Sequence, residues 1–286
     1  MPARHLPKAR QEDSVKAIIV AAGRGRRLGP ETAEIPKCMV PVAGRPILHR
    51  QLAALVAAGV TDFVIVRGYL GDRISAPGFA LRFVDNPDWA NNNILASLLY
   101  AEHEMDSGFV FSYSDIVFAP AHAHQIARST ADVALIIDRR WSDTYVGRDH
   151  HPIAEAELAS VRQTPGGPIV DRVGKMVVPP SEATGEFTGL AKFSAAGASE
   201  LRRIWRDALR RGGNAQSGEG GEVGEIGLDQ PFGRAAKLRQ AYLSDALNAL
   251  ADRGVAPTPV LVDGRWREID TEEDLARAHA VVDQWD

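Results

Sequence analysis

This chain has one cysteine, Cys38, which excludes an internal disulfide framework and suits a reducing compartment; the cytoplasm is the expected location. No apolar run approaches the length that a membrane crossing needs. Residues 1–14 lack the apolar centre of a signal peptide and, with Arg4, Lys8 and Arg10, read as a frayed basic leader. Excess positive charge is missing too. The net charge is −4, whereas a general nucleic-acid binder carries a basic face. Neither nucleic acid nor membrane is therefore an expected partner. No internal repeat is present. What remains is an ordinary globular composition, 45% hydrophobic and 24% charged, with length for one large α/β domain or two small ones.

The first half alternates short apolar runs with helical periodicity, the pattern of a mostly parallel sheet covered by helices. Strands are expected at Val15–Ala21, Phe63–Val66, Leu81–Val84, Phe109–Ser112 and Val133–Ile137. A helix opens at Pro46, turns Leu48, Leu52, Leu55 and Val56 inward and stops before Gly59. Further helices are expected over Ile94–His103 and around His122–Arg128. The second half is less regular. It offers strands at Phe187–Phe193 and Pro259–Val262, helices over Ala198–Arg211 and Ala235–Asp252, and an extended piece at Trp266–Ile269. Thr271 caps a closing helix, with Asp274 in the third position of a capping box. Residues 212–227, glycine-rich and acidic, read as a mobile surface loop. One domain over 15–286 is expected, divided near Asp138 into a nucleotide-binding half and an acceptor-binding half.

Chemistry gathers where the opening strand ends. Ala21-Ala22-Gly23-Arg24-Gly25-Arg26-Arg27-Leu28 follows that strand, and Lys37 comes shortly after. Glycines let backbone N–H groups approach an anion, and guanidiniums neutralise it. Arg24, Arg26, Arg27 and Lys37 would repel one another unless a polyanion sat among them, which points to a nucleoside triphosphate. A dinucleotide fingerprint does not fit, because the third glycine falls one place late, at Gly29, and the next strand ends in Arg67-Gly68-Tyr69 rather than an acid. Gly-Lys-Ser/Thr, the Walker signature, is absent. The plainer alternative is a tight turn with solvated arginines; Lys37 before an apolar strand argues against it.

Asp115 closes the run Phe109–Asp115, at the strand edge where open α/β sheets bind ligands, although a helix cap or loop carboxylate would look the same. Glu268 and Asp270, two apart in an extended segment, share a face while Ile269 turns into the core. Asp270 also precedes the Thr271 cap, which alone would account for it. If these acids meet Asp115, they form an oxygen-rich site for Mg²⁺, the metal that accompanies triphosphates. His122 and His124 point different ways on a helix, and His150-His151 lack the partners of a zinc site. Cys38 reads as a small packed thiol.

Ala-Ala-Gly-x-Gly-x-Arg-Leu, Pro36-Lys37, a strand-terminal Asp115 and Glu268-Ile269-Asp270-Thr271-x-x-Asp274-Leu275 together resemble the nucleotidyltransferases that activate sugar phosphates, phosphocholine and phosphonates. The likeness runs from Val15 to Ala280. Asn86-Pro87 through Asn92-Asn93-Ile94-x-Ala96-Ser97-Leu98 is similar to the cytidylyltransferase branch. Ser112-Tyr113-Ser114-Asp115-Ile116 and Gly185-Glu186-Phe187-Thr188-Gly189-Leu190 look most like the cytidylyltransferases associated with phosphoenolpyruvate mutase, which make CMP-phosphonates. The resemblance implies a three-layer α/β/α, Rossmann-like fold with a mixed, mostly parallel sheet. It implies that Gly23 and Gly25, with Ala21 and Ala22, line the triphosphate and that Arg27 and Lys37 neutralise it; Arg24 and Arg26 depart from the family's minimal pattern and add charge suited to the pyrophosphate. Asp115 and Asp270 would hold Mg²⁺, with Glu268 as a further ligand; Asn93 and Ser97, four apart on one helix face, could read the cytosine of CTP, although a helix-capping asparagine and a serine tolerated within a helix would look the same. A homodimer is left open.

For the acceptor, the resemblance implies Tyr113 and Glu186. Arg139, Arg140 or Arg148 would suit a phosphonate dianion, since arginine binds phosphoryl oxygens bidentately. Trp89, Tyr113, Trp141 and Tyr145 could instead form an aromatic cage for choline, and a solvated charge run over core aromatics is the bland alternative. Sugar-phosphate members carry Glu-Lys-Pro before the strand at Phe187–Phe193; here the nearest lysine is Lys175, in an expected turn. The expected activity is CMP transfer from CTP to a small phosphonate such as 2-hydroxyethyl- or 2-aminoethylphosphonate. A phosphocholine or sugar-1-phosphate nucleotidyltransferase is the alternative. A non-catalytic nucleotide sensor would have lost the lysine or a carboxylate, and a glycosyltransferase would show Asp-x-Asp where this chain has Ser112-Tyr113-Ser114-Asp115.

Overall fold

The apolar run after Lys16 forms the spine of the molecule, β1 (Val15–Ala21), with Ala17, Ile18 and Ile19 inaccessible to solvent. Covered on both faces, it reads as a continuous apolar stretch rather than an alternating one. Each such isoleucine contributes about 1.5–3 kcal/mol of burial. The computed structural model describes residues 15–213 and 227–285. The expected leader lies outside these residues, as does 214–226 of the expected loop.

Along the chain follow a small ladder, β2 (Pro41–Val42) and β3 (Arg45–Pro46), then α1 (Ile47–Ala57), β4 (Val60–Arg67), β5 (Leu81–Asp85) and α2 (Ile94–Leu99). Next come β6 (Phe109–Tyr113), β7 (Ile116–Phe118), α3 (Pro120–Ala127), β8 (Val133–Asp138) and α4 (Trp141–Tyr145). The remainder comprises β9 (Leu158–Thr164), β10 (Gly167–Val173), β11 (Gly185–Phe193), α5 (Ala195–Gly213), α6 (Leu243–Asp252), β12 (Thr258–Val262), β13 (Trp266–Glu268) and α7 (Glu272–His279).

Nine strands make one sheet in the order β10-β9-β11-β6-β1-β4-β5, with β8 also paired to β11 and β12 beyond it. The pairings β1–β4, β1–β6, β4–β5 and β8–β12 are parallel; only β10 and β11 run against the rest. One face packs on α2, α5 and α6 through Leu95, Leu98, Leu201, Trp205, Leu243 and Leu247. The other packs on α1 and α3 through Leu48, Leu52, Leu55 and Ile126. The mixed, mostly parallel three-layer arrangement is the one expected. Strands from beyond Asp138 complete the sheet begun before it, so the two halves share one sheet.

Four expectations are corrected, the first being Val56, which was expected to turn inward on α1 and is exposed. The helix expected over Ala235–Asp252 begins only at Leu243; Phe232 and Ala235 form a β-bridge, and Tyr242 opens the helix with a capping box to Asp245. The helix expected over Ile94–His103 ends at Leu99, followed by a 3₁₀ turn at Glu102–Glu104. Residues 212 and 213, taken with the surface loop, belong to α5. The β9–β10 hairpin and β7 had no counterpart in the sequence reading.

Candidate active site

Two pairings explain why acids far apart in sequence meet. The chain turns at Ser114–Asp115 from β6 into β7, and buried Gln51 on α1 pins that turn by donating to the carbonyls of Tyr113 and Ile116 at 2.8 and 2.7 Å. β13 then pairs antiparallel with β7, setting Glu268 opposite Ile116, and the Ile269 amide donates to the Asp115 carbonyl at 2.8 Å. Ile269 is buried in a separate apolar cluster with Leu28, Val40 and Val117, so Glu268 and Asp270 face the cleft. Asp274 fixes the far end. It accepts from the amides of Asp270 and Thr271 at 3.1 and 3.0 Å, and Thr271 Oγ1 returns the capping bond. Asp138, fully buried, anchors the near end by accepting from Trp266 Nε1 at 2.8 Å.

The cleft encloses about 320 Å³. At its loop end Gly25 adopts φ +67°, and a Cβ there would lie 2.8 Å from Lys37 Cδ, so glycine lets the lysine run along the loop. Lys37 Nζ reaches Asp115 Oδ2 at 2.8 Å and also hydrogen-bonds Asp270 Oδ1. Arg27 Nη2 donates to the other oxygen of Asp270 at 2.5 Å. Burial opposes the charge on Lys37, but Asp115 and Asp270 outweigh it and hold the lysine charged. Burial likewise opposes ionisation of Asp270, and Lys37 and Arg27 reverse that, holding it well below the usual carboxylate range. Burial, reinforced by Asp270 and Asp115, pushes Glu268 well up. Asp115 Oδ1 is buried and has no hydrogen-bond partner among the described residues.

Gly23, Gly25, Arg26, Arg27, Lys37, Asn93, Ser97, Tyr113, Asp115, Glu186, Glu268 and Asp270 all line this cleft. Ala21 and Ala22 are buried beneath the loop, where the Ala22 carbonyl accepts from the Tyr69 amide. Arg24 stacks over the Tyr69 ring at 5.3 Å. Asn93 is the N-cap of α2, and the Ser97 hydroxyl is engaged by Asn86 and Asn92 at 2.9 and 3.0 Å.

The arginines expected at the acceptor do not line the cleft. Arg139 is paired with Asp263 at 2.5 Å and Arg140 with Asp143 at 2.7 Å, both at the surface. Arg148 is buried behind the acids, held by Asp274 at 2.6 Å and close to Glu268, where it stacks on Tyr145. Tyr145 is also set back, donating its hydroxyl to Glu186 Oε1 at 2.8 Å. His151, fully buried, lies 3.4 Å from Glu268 and 3.7 Å from Asp270 and Asp274. With Glu268 and Asp270 it makes a group compact enough for a cation.

Sequence reasoning missed much of the inner wall. Lys175 lines it, paired with Glu155 at 2.8 Å and lying over the Tyr242 ring. Glu157 is buried there, accepting from Tyr113 and Ser244 hydroxyls at 3.0 and 2.9 Å. Burial raises its pKa, and raises that of Glu186 to about 8. Glu157 directly before the apolar pair Leu158-Ala159, with Glu155 two residues earlier, was the available signal. Gly189, at φ +84° in β11, makes room for the Tyr113 ring that a Cβ would strike.

Comparison with known proteins agrees with this architecture. The chain is 26% identical over 274 residues to a CTP:phosphoglutamine cytidylyltransferase of Campylobacter jejuni, covering 91% of this chain and 98% of that protein. It is 29% identical over 213 residues to a 2-aminoethylphosphonate cytidylyltransferase of Lancefieldella rimae, covering 73% and 79%. The CTP:phosphocholine cytidylyltransferase structure from Streptococcus pneumoniae superposes with a TM-score of 0.68 at 18% identity, covering 94% of this chain and 99% of that one. The inositol-1-phosphate CTP transferase of T. maritima gives 0.68 at 19%, covering 95% and 96%. These likenesses share the fold. Residues 17–208 match the MobA-like NTP transferase domain, and the chain belongs to that family of nucleotidyltransferases.

Proposed function

We propose that this enzyme transfers the cytidylyl group of CTP to a small phosphonate or phosphate acceptor, with phosphonates such as 2-hydroxyethyl- or 2-aminoethylphosphonate as the substrates. The observation that carries the reading is the meeting of Lys37, Arg27, Asp115 and Asp270 in front of the Gly23–Gly25 loop. Hard carboxylate oxygens, one of them the buried, unpartnered Asp115 Oδ1, are the donor set that Mg²⁺ prefers. Asp115 and Asp270 would hold the ion, with Glu268 beside them. Bound there, it would neutralise phosphate charge.

In this reading the loop amides and Arg26 take the outer phosphates, while Lys37 and Arg27 face the α-phosphate and the leaving group. The acceptor oxygen, already an anion at neutral pH, forms a new bond to the α-phosphorus. The α–β bridging bond breaks and its electron pair departs with pyrophosphate. No general base or covalent intermediate is needed. The protein contributes placement and charge neutralisation for two anions. Incubation with CTP, Mg²⁺ and each candidate acceptor, with pyrophosphate release as readout, tests this. Release is expected with the phosphonates; release only with sugar 1-phosphates, or only with another nucleotide, overturns it.

A further inference from the structure

The inner wall of the cleft carries two buried carboxylates that only neutral groups satisfy. Glu157 uses both oxygens on the hydroxyls of Tyr113 and Ser244. Glu186, 3% exposed, takes the Tyr145 hydroxyl on Oε1, and its buried Oε2 has no hydrogen-bond partner among the described residues. Among the described residues no cation lies within 4 Å of either. Arg148 and Lys175 act on Glu186 and Glu157 only from a distance, their own ion pairs being with Asp274 and Glu155, and burial still raises the pKa of both acids. The rings of Tyr113, Phe187 and Tyr242 line the same stretch. Burying carboxylates without countercharge is costly, and the cost falls when a cation arrives with the ligand.

We propose that Glu186 selects an acceptor bearing a primary ammonium, which donates to the unpartnered Oε2 while the phosphonate or phosphate end faces the nucleotide. The inference rests on the cytidylyl-transfer reading above and narrows its acceptor to a short zwitterion. A quaternary ammonium cannot donate a hydrogen bond to Oε2, and a hydroxyl brings no positive charge to the two carboxylates. Both are therefore poorer ligands here.

The test compares 2-aminoethylphosphonate, 2-hydroxyethylphosphonate and phosphocholine as acceptors for the wild-type chain and for Glu186→Gln. One charge-assisted hydrogen bond predicts a wild-type preference for the amine of about tenfold to a hundredfold in kcat/KM. In E186Q that preference collapses, through KM for the amine, while CTP binding measured by calorimetry stays the same. Should E186Q fail to fold, wild-type calorimetry with a non-hydrolysable CTP analogue decides: tighter binding of 2-aminoethylphosphonate than of 2-hydroxyethylphosphonate supports the proposal, and equal binding overturns it. Turnover with no preference for the amine, or a preference that survives E186Q, overturns this proposal alone. Absence of CTP-dependent pyrophosphate release with every acceptor overturns the parent reading, and this one with it.

Discussion

The two ends of the cleft treat charge in opposite ways. At the loop end, Lys37 and Arg27 are interlocked with Asp115 and Asp270, and each charge has a partner of opposite sign. At the inner end, Glu157 and Glu186 face phenols and a serine. The first end is preorganised in the free protein, each charge already holding a partner of opposite sign. The second holds buried carboxyl groups whose ionisation burial opposes and which no ion pair of their own offsets. Preorganised charge stabilises a reaction, whereas a buried acid without an ion pair discriminates between ligands.

The strongest way to break this contrast is at the loop end. Asp270→Ala or Asp115→Ala should lower turnover about a thousandfold or more while circular dichroism stays native, since charge stabilisation is the main contribution asked of the protein. A nearly normal rate for either would refute the assignment. Lys37→Met should cost about a hundredfold in kcat, the usual size for removing one preorganised donor.

The inner end is sharpened by pH. Glu186 has a folded pKa of about 8, above its ordinary value near 4.5, so its contribution to stability is complete below the lower value and is lost as pH rises through the higher. Glu186→Gln should therefore melt above wild type at pH 9, with the gap shrinking towards pH 5. An equal gap at both pH values would show that the carboxylate is not burdened as described. The smallest effect is expected from Arg139→Ala and Arg140→Ala, whose exposed ion pairs lie outside the cleft; initial rates should change by less than about twofold. A large loss would restore them to acceptor binding.

The loop end was legible because its residues obey position rules. A glycine-arginine loop follows a strand, an acid closes another strand, and Glu268-Ile269-Asp270 alternates about a buried isoleucine. The pairing of β13 with β7 that makes them converge was not legible, because a three-residue strand carries no periodicity. Arg139 and Arg140 misled because sequence shows a charge but not its partner; Asp143 and Asp263 neutralise them at the surface. Lys175 and Glu157 stayed hidden because their places depend on the β9–β10 hairpin, whose alternation is blurred by polar and charged residues on both faces. The helix expected from Ala235 was too long because apolar spacing continues through a segment that turns before Tyr242.

The short ladder of β7 with β13 has a consequence for biosynthesis. Translation delivers Asp115 early and its partner acid more than half the chain later, after every strand of the large sheet has been made. Until β13 has been made and paired with β7, Asp270 cannot stand beside Lys37 and Asp115, so the acid cluster cannot form before the last strand of the chain is present.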